Sequence, residues 1–302
     1  MGYDVIVVGG GPAGLSASIY TSRAKLKTLL IERKCCGGQM AITDLIENYP
    51  GFSSAISGFD LAIKFNEQSK LFGTEIIYDE VASIEDGSTK KIITMQSSYE
   101  TKAIIIATGT NIRQMNIPGE SNFIGRGVSF CATCDAPFYR DKNVIVIGGG
   151  DSAVQEAVYL SKFAKTVTII HRRNKLRASK ILQEKIALHP NISVIYNSIL
   201  KEIYGKDLVE KVVITDIETN KNKDLKVDGV FVFIGLVPNT LALPNIKLDS
   251  IGYIMTDESM NTSVPGIFAC GDIRKKQLRQ IVTAVADGAQ AAISAQHYIE
   301  SL

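Results

Sequence analysis

Short runs of mainly apolar and β-branched residues recur along the chain, and several of them end at or near a glycine. They cover residues 4–8, 28–31, 103–107, 143–147, 167–170, 230–235 and 266–269. Runs of this length that are rich in valine and isoleucine are typical of parallel strands buried on both faces. A longer segment, about 280–299, is rich in alanine and predicts a helix. The pattern therefore predicts an α/β protein built on parallel sheets.

Part of this pattern occurs twice, 139 residues apart. The segment 4–11 (DVIVVGGG) matches 143–150 (NVIVIGGG), and the second apolar runs, 28–31 and 167–170, align without a gap. Each copy reads strand, glycine turn, helix and strand, which is the order of a Rossmann-like dinucleotide-binding unit. We therefore expect two Rossmann-like domains, with the second inserted into a discontinuous first domain.

The domain boundaries are expected at two connectors. Pro118 and Gly119 mark a turn within residues 116–120, and residues 237–245 form the return connector. The alanine-rich final helix is assigned to the first domain. The predicted domains are therefore residues 1–114 with 245–302, and residues 115–244.

Composition and charge argue against several classes of protein. The hydrophobic fraction is 45%, the charged fraction is 21% and the net charge is only +2, which gives no reason to expect binding to nucleic acid or to a membrane surface. No apolar run approaches the roughly 18 residues of a membrane span. The first strand leaves no room for a signal peptide, and five cysteines do not suggest a framework of structural disulfides. A cytoplasmic location is therefore expected.

Each glycine turn has the spacing of a dinucleotide-binding loop. The first glycine lets the chain turn from strand to helix, the second lets a pyrophosphate approach, and the third position lets helix and strand pack closely. Phosphates then meet backbone N–H groups at the helix N-terminus. The predicted binding residues are Gly9, Gly11, Pro12, Ala13 and Gly14 in the first loop and Gly148, Gly150, Asp151, Ser152 and Ala153 in the second. The alternative is two tight turns that bind no ligand.

The ends of the second strands distinguish the two sites. Glu32 ends the first, where a carboxylate can accept hydrogen bonds from ribose hydroxyls. The aligned residue in the second copy is His171, and it is followed by Arg172, Arg173 and, nearby, Arg177; all four are predicted to bind the coenzyme of the second site. Guanidinium groups would pair with a 2′-phosphate that a carboxylate would repel, so the second site is expected to prefer NADPH to NADH. A solvated charged face is the alternative. The first site is then free for FAD, which couples hydride transfer to disulfide cleavage.

A candidate dithiol, Cys131 and Cys134 with Asp135 beside it, lies just before the second glycine turn. A Cys-x-x-Cys pair can close a small disulfide, and Asp135 is a candidate proton donor to a released thiolate. Asp135 is alternatively a helix cap. Zinc would need ligands beyond this pair, and the three histidines are isolated in the sequence, so no metal site is expected. Two ordinary buried cysteines are the remaining alternative.

The other three cysteines are not expected to react. A disulfide between the neighbours Cys35 and Cys36 would strain the backbone, so we interpret them as incidental thiols. Cys270 is interpreted as a small buried residue.

Together these residues closely resemble the low-molecular-weight, bacterial-type thioredoxin reductases over nearly the whole chain. The matching motifs are 9–14, Gly37-Gly38-Gln39, 47–51 (ENYPG), Ala107-Thr108-Gly109, 131–135 (CATCD), 148–153, His171-Arg172-Arg173 with Arg177, 264–269 with Gly271-Asp272, and Arg279-Gln280-Ile281. The CATCD string in this setting is highly specific. The chain departs from the family at Phe130, at Ala136-Pro137, where a glycine usually follows the aspartate, and at Cys35-Cys36. These departures bring partner choice and local geometry into question, but they remove no group that the chemistry needs.

The resemblance implies a role for further residues. FAD would be held by the first loop and Glu32 together with Gly38, Gln39, Asn48, Asp272, Arg279, Gln280 and Ile281. Cys134 would lie nearer the flavin than Cys131, and Asp135 would act as the acid. Members of the family are homodimers and reduce thioredoxin; another thioredoxin-like small dithiol protein is the alternative partner.

The expected activity is NADPH-dependent reduction of thioredoxin through FAD and the Cys131–Cys134 pair. Since the dithiol and the nicotinamide would share the inserted domain, a rotation about the connectors is expected to bring each to the flavin in turn. An oxygen-using dithiol oxidase would have no use for the arginines, and a ferredoxin-driven reductase would lose the second glycine loop. A flavin-binding module without catalysis, or a ferredoxin–NADP reductase, would not need the dithiol. The sequence leaves open which cysteine attacks the partner.

Overall fold

Each copy of the repeat lies in its own folded unit. The computed structural model describes residues 2–43, 46–87, 89–240 and 245–302, with the backbone alone at Thr133 and Cys134. Unit 1 comprises Met1–Asn111 and Val237–Leu302, and unit 2 comprises Ile112–Leu236. The sequence-based boundaries, after residues 114 and 244, lie later in the chain, and residues 241–244 of the predicted return connector lie outside the described residues.

The elements are named here in chain order. The strands are β1 (Tyr3–Val8), β2 (Thr28–Glu32), β3 (Glu75–Tyr78), β4 (Val81–Glu85), β5 (Lys90–Thr94), β6 (Ser98–Ile106), β7 (Thr110–Ile112), β8 (Val128–Ser129), β9 (Asn143–Gly148), β10 (Thr166–Ile170), β11 (Ile192–Ile195), β12 (Ser198–Gly205), β13 (Val209–Asp216), β14 (Asn222–Lys226), β15 (Gly229–Phe233), β16 (Leu236–Pro238) and β17 (Ile267–Ala269). The α-helices are α1 (Pro12–Arg23), α2 (Gly38–Ala41), α3 (Gly58–Leu71), α4 (Ala132–Asp135), α5 (Asp151–Leu160), α6 (Lys180–Ala187) and α7 (Ile281–Glu300). Short 3₁₀ helices cover Ser121–Phe123, Ala136–Tyr139 and Gly271–Ile273.

The sheet of unit 1 has the order β3-β2-β1-β6-β5-β4, and β17 also pairs with β6. Strands β1, β2, β3, β6 and β17 are parallel to their neighbours in this group, whereas β4 and β5 add an antiparallel edge. At the centre, Val5 of β1 is aligned with Thr28 of β2 on one side and Ala103 of β6 on the other. Strand β1 ends at Val8, and the first glycine turn follows it directly at Gly9.

The main sheet of unit 2 has the order β11-β10-β9-β15-β8, and every pair in it is parallel. A separate antiparallel sheet, β12-β13-β14, belongs to the same unit. Strands β7 and β16, at which the chain passes between the units, pair with each other. Residues 116–120, the predicted first connector, lie inside unit 2. There the buried carboxylate of Glu120 accepts hydrogen bonds from the N–H groups of Met115 (2.9 Å) and Asn116 (2.6 Å).

Both faces of each parallel sheet are covered, which is why the strands lack alternation between apolar and polar residues. In β1, Val5 and Val7 pack in one apolar cluster, and Ile6 and Val8 pack in another. The same division recurs in β9, whose alternate residues join two clusters of unit 2. This arrangement is the one that the runs of apolar and β-branched residues predict.

Helix α7 packs closely against α1 near the first glycine turn. A Cβ on Gly288 of α7 would overlap the carbonyl oxygen of Ala13 in α1, so only glycine permits this approach. The predicted alanine-rich helix, about 280–299, is thus observed as α7 and lies in unit 1. Among the described residues, no helix is both long and apolar enough to cross a membrane.

Candidate functional site

The three glycines of the first turn serve three different geometric purposes. Gly9 has a φ of +106°, which favours glycine, and a Cβ there would lie 2.5 Å from the carbonyl oxygen of Ala107. A Cβ on Gly14 would overlap the carbonyl oxygen of Gly9. Around Gly11, by contrast, no atom of the described residues lies within 4 Å of a Cβ position. The open position is the one at which the sequence predicts the pyrophosphate.

Helix α1 presents its N-terminus to this open space. Gly11 is the N-cap residue and makes no side-chain cap, Pro12 is the first helical residue, and the first turn carries no acidic side chain. Ala13 is buried beneath α7. The first turn of α1 therefore leaves backbone N–H groups available for an anion.

Glu32 is fixed at the end of β2 by two backbone donors. Its Oε2 accepts a hydrogen bond of 2.7 Å from the Gly10 N–H, and its Oε1 accepts one of 3.0 Å from the Lys34 N–H. Each carboxylate oxygen keeps further acceptor capacity. The carboxylate is thus held against the glycine turn, where a ribose hydroxyl could donate to it.

Asp272 follows β17 in a 3₁₀ turn of unit 1. Its Oδ1 is buried and has no hydrogen-bond partner among the described residues. Burial raises the pKa of Asp272, and the positive charges of Lys276 and Arg279 oppose that shift. A buried acceptor without a donor fits a site whose missing donor is a cofactor hydroxyl.

The other residues predicted for the FAD site lie in unit 1, and two of them, Asn48 and Gln280, are in contact. The side-chain amide of Asn48 donates to Oε1 of Gln280 at 3.0 Å, and Gln39 Nε2 donates to Thr110 O at 2.8 Å. The guanidinium of Arg279 lies 4.0 Å from the centre of the Tyr253 ring. The remaining predicted residues are Gly38, an exposed first residue of α2 with a φ of +54°, and Ile281, the half-buried first residue of α7.

A buried charge cluster beside this site was not predicted from the sequence. Asp287 of α7 is buried and forms ion pairs with Arg274 (3.0 Å) and Lys276 (2.7 Å). Its carboxylate also accepts a hydrogen bond from the Gly271 N–H. The one feature of the sequence that could have indicated this cluster is the acidic Asp287 within the alanine-rich final helix.

The second glycine turn repeats the geometry of the first. A Cβ on Gly148 would overlap the carbonyl oxygen of Phe233, whereas a Cβ position on Gly150 has no neighbour within 4 Å in the described part of the chain. Ala153, at the third position, is buried in α5. Asp151 and Ser152 are exposed in the first turn of that helix.

His171 lies beneath this second turn, where Glu32 lies in the first copy. The imidazole is 4% exposed, and a Cβ on Gly149 would overlap its ring. Nδ1 lies 2.9 Å from the carbonyl oxygen of Gly148, which can only accept, so Nδ1 carries the proton. Burial lowers the pKa of His171, and the nearby Arg177 and Arg173 lower it further. The ring is therefore neutral at pH 7 and supports the turn.

The arginine segment is tied to the second glycine turn by its backbone. The carbonyl oxygen of Gly149 accepts hydrogen bonds from the N–H groups of Arg177 (2.7 Å) and Ala178 (3.1 Å). The Ser179 N–H donates to Asp151 Oδ1 at 2.7 Å. The backbone at the end of this segment is therefore held next to the open position of the turn.

The side chains of Arg172, Arg173 and Arg177 are exposed. Within the described part of the chain, they form no ion pair and no side-chain hydrogen bond. Free guanidinium groups next to a nucleotide-type turn fit the 2′-phosphate of NADPH. If these arginines formed only a solvated charged face, the backbone hydrogen bonds between their segment and the glycine turn would not be needed.

Cys131 lies directly before the single-turn helix α4 of unit 2, and Cys134 lies within that helix. Cys131 is half-buried and disulfide-bonded, whereas the side chain of Cys134 lies outside the described residues. The Cys131 N–H donates to the Ser129 hydroxyl at 3.1 Å, and the Asp135 N–H donates to the Cys131 carbonyl oxygen at 3.2 Å. Asp135 is the N-cap residue of the following 3₁₀ helix, yet its side chain makes no capping hydrogen bond. This observation disfavours the capping alternative.

The remaining cysteines are free thiols. Cys270 is fully buried, and burial raises the pKa of its thiol. Burial, together with the negative charge of Glu32, raises the pKa of Cys36 to about 11, while Cys35 is exposed. Over the described ranges, no group of three or more His, Cys, Asp or Glu side chains is placed to hold a metal ion.

Comparisons with known proteins agree on one family. The family model "Pyridine nucleotide-disulphide oxidoreductase" matches residues 3–288. The chain is 50% identical to the thioredoxin reductase of Treponema pallidum over 99% of this chain and 98% of the relative. It is 48% identical to that of Bacillus subtilis, over 99% and 96% of the two chains.

A solved structure gives the same result. The thioredoxin reductase of Lactococcus lactis superimposes with a TM-score of 0.97 at 46% identity, over 99% of this chain and 100% of that one. The predicted fold class, two Rossmann-like domains with one inserted into the other, is confirmed.

Proposed function

Since this chain belongs to the pyridine nucleotide-disulphide oxidoreductase family, and within it to the thioredoxin reductases, we propose that it transfers electrons from NADPH to the disulfide of thioredoxin. The resemblance found in the sequence is confirmed, as are the enzyme class, an oxidoreductase, and the cofactors, FAD and NADPH. When bound, these cofactors supply the two electrons that cleave a disulfide.

The observation that carries this proposal is the combination in unit 2 of a disulfide-bonded Cys131 with a nucleotide-type turn and free arginines. We propose that Arg172, Arg173 and Arg177 hold the 2′-phosphate of NADPH, against the second glycine turn. In unit 1, the first glycine turn, Glu32 and Asp272 hold FAD. An oxygen-using dithiol oxidase is disfavoured because it would leave the free guanidinium groups without a use.

The chain's own part of the chemistry lies with three residues. Opening the Cys131–Cys134 disulfide releases thiolates, and Asp135 supplies a proton to one of them. A thiolate of the pair then attacks the partner's disulfide to form a mixed disulfide, and the other thiol resolves it. The products are an oxidised Cys131–Cys134 pair and a reduced partner.

Thioredoxin is the proposed partner, and a pocket in unit 2 supports a protein substrate. The pocket is lined by Asp135 and by the exposed side chains of Phe138 and Leu208, which are 73% and 57% exposed. Arg126 and Lys142 add positive charge to its lining. Exposed apolar groups surrounded by charges are typical of a docking surface.

The rotation expected from the sequence remains part of the proposal. The chain passes between the units at two places only, after Asn111 and after Leu236. We propose that rotation at these crossings lets the dithiol and the nicotinamide reach the flavin in turn. A trapped complex with both groups against the flavin at once would contradict this.

A homodimer and a cytoplasmic location complete the proposal. Helix α3 exposes Phe59 (62%) and Ile63 (40%) one turn apart, which supports an interface with a second copy. Sedimentation at working concentration is expected to give the mass of a dimer, and a monomer mass would contradict this. Free thiols at Cys35, Cys36 and Cys270 support a reducing compartment.

The test of the function is turnover. The purified yellow protein is expected to oxidise NADPH when supplied with thioredoxin or with an aromatic disulfide dye, and Cys134→Ser is expected to abolish both reactions. The double variant Arg172→Ala, Arg173→Ala is the test of the phosphate site: activity with NADPH falls while activity with NADH changes little. Equal losses with both coenzymes would refute the phosphate assignment.

A further inference from the structure

The buried cluster around Asp287 surrounds the segment that carries Asp272. The Gly271 N–H donates to Oδ2 of Asp287 at 3.1 Å, and Lys276 Nζ donates to the same oxygen at 2.7 Å. Arg274 Nη1 donates to the other oxygen at 3.0 Å. The side chains of Lys276 and Asp287 are 9% and 11% exposed, so water screens this pair weakly.

The cluster holds the backbone on both sides of Asp272. Gly271 has a φ of +76°, and a Cβ there would lie 2.7 Å from that of Ala13 in the first glycine turn. Two residues after Asp272, the Arg274 N–H donates to the Gly271 carbonyl oxygen at 3.3 Å. The Arg274 guanidinium also donates to the Thr256 hydroxyl at 2.9 Å. A shift of the Asp272 backbone would therefore disturb the hydrogen bond from the Gly271 N–H to Asp287.

The charges in the cluster do not cancel. Two cations, Arg274 and Lys276, share the single carboxylate of Asp287, which leaves one positive charge in excess. Asp272 lies in the same segment, and its buried Oδ1 has no partner among the described residues. If Asp287 served only to hold the backbone, its hydrogen bond from the Gly271 N–H would be enough, and two cations would not be needed beside it.

We propose that Arg274, Lys276 and Asp287 form a positioning device for Asp272: Asp287, held by the two cations, fixes the Gly271 N–H and with it the backbone that presents the Asp272 carboxylate to FAD, and Lys276 adds positive charge to the buried segment that carries Asp272. This inference rests on the proposed place of Asp272 in the FAD site. Asp287 and the two cations act through Asp272 and are positioning residues.

The electrostatics of Asp272 support this division of roles. Burial and the negative charge of Asp287 raise its pKa, whereas the positive charges of Lys276 and Arg279 lower it. Removing the charge of Lys276 leaves only Arg279 to oppose burial. Asp272 then takes up a proton at a higher pH than in the unmodified protein, and the protonated acid is a weaker acceptor.

The experiment follows FAD release from diluted holoenzyme by flavin fluorescence, at a series of pH values from neutral down to the lowest pH at which each protein stays folded. Lys276→Gln keeps a donor for Asp287 but removes the charge. FAD is expected to bind about tenfold more weakly than in the unmodified protein near the acid end, and affinity is expected to recover with rising pH. Lys276→Arg, which keeps the charge, is expected to give the pH profile of the unmodified protein. Lys275→Gln is the matched control, because Lys275 is exposed and uses only its backbone N–H, to Ile254.

A second variant tests the backbone role separately. Asp287→Ala removes both the acceptor of the Gly271 N–H and the counter-charge of the two cations. We expect FAD affinity to fall about tenfold at every pH, without a slope. A fall that slopes with pH, or no fall at all, would contradict the role given to Asp287.

Two results would overturn the role of Lys276: a Lys276→Gln profile that matches Lys275→Gln, or a loss of affinity equal at every pH. Lys276→Met carries the same expectation if the glutamine variant does not fold. Asp272→Asn separates this inference from the site assignment. If Asp272→Asn leaves FAD affinity unchanged, Asp272 is not in the FAD site. If Asp272→Asn weakens FAD binding while the FAD affinity of the Lys276 variants does not depend on pH, Asp272 stays in the FAD site and only the positioning role of Lys276 is refuted.

Discussion

The amide of Asn48 donates a hydrogen bond of 3.0 Å to Oε1 of Gln280, although 232 residues separate the two in sequence. Gln280 is the N-cap residue of α7, and its side chain also accepts from the backbone N–H of Thr283, whose hydroxyl in turn accepts from the Gln280 N–H. One glutamine thus caps the helix and anchors the segment that carries Asn48. Both residues belong to the proposed FAD site.

Substitutions at this pair are expected to have unequal effects on stability. Gln280→Ala removes a helix cap, which costs about 1 kcal/mol of the free energy of unfolding. Asn48→Ala removes only an exposed hydrogen bond and costs less than about 0.5 kcal/mol. Denaturation of the FAD-free protein in urea measures both values, and equal losses would contradict the capping role. Both variants are expected to weaken FAD binding.

The open glycine positions give a test of which turn binds which cofactor. Gly11→Ala introduces a Cβ that meets no protein atom, so the protein is expected to fold with nearly unchanged stability but to lose FAD. Gly150→Ala is its counterpart in unit 2 and is expected to keep FAD but lose NADPH binding. Gly14→Ala, by contrast, forces an overlap with the Gly9 carbonyl oxygen and is expected to disrupt the fold. Flavin absorbance, NADPH titration and circular dichroism distinguish these outcomes. Normal FAD binding by Gly11→Ala would contradict the assignment.

His171 predicts a pH dependence of stability. Its pKa in the folded protein lies below the unfolded value of about 6.5, so the unfolded state binds more protons when the pH falls through that value. The contribution of His171 is therefore fully present above about pH 6.5 and is lost progressively below it. The melting temperature of the protein is expected to fall on acidification, and His171→Gln is expected to reduce that fall. His297→Gln, at an exposed position, is the control. An unchanged pH profile in His171→Gln would show that this histidine is not responsible.

Phe138 allows docking to be separated from chemistry. Because this side chain is 73% exposed, Phe138→Ala is expected to leave stability nearly unchanged. If thioredoxin docks there, its KM is expected to rise about tenfold, whereas kcat/KM for a small disulfide dye stays constant. Leu188→Ala, at a residue 78% exposed in the same unit, is the matched control. A parallel loss with both substrates would place Phe138 in the chemistry rather than in docking.

The parts of the fold that local pattern encodes could be predicted from the sequence. The strands β1, β2, β9 and β10 and the glycine turns were predictable because an apolar run followed by glycine repeats after 139 residues. The connector was harder to locate. Residues 116–120 look like a linker, yet the buried carboxylate of Glu120 binds two backbone N–H groups there. These hydrogen bonds span only four and five residues, but a charged glutamate after Pro-Gly is typical of an exposed linker, so the sequence did not indicate that its carboxylate is buried.

The candidate site shows the same limit. Glu32, His171 and the arginines were predictable because their places are fixed relative to the repeat. The convergence of Arg274 and Lys276 on Asp287 was not, because it depends on how α7 packs over the turn that follows β17. Side chains from distant segments meet there only after the sheet has formed.

The central claim is that NADPH opens the Cys131–Cys134 disulfide through FAD. Its most direct test is to alkylate the cysteines of the FAD-loaded protein, in denaturant, before and after anaerobic incubation with NADPH, and to locate the label by mass spectrometry. We expect Cys35, Cys36 and Cys270 to be labelled in both samples, and Cys131 and Cys134 only after NADPH. A labelling pattern that NADPH leaves unchanged, in protein with bound flavin, would contradict the account.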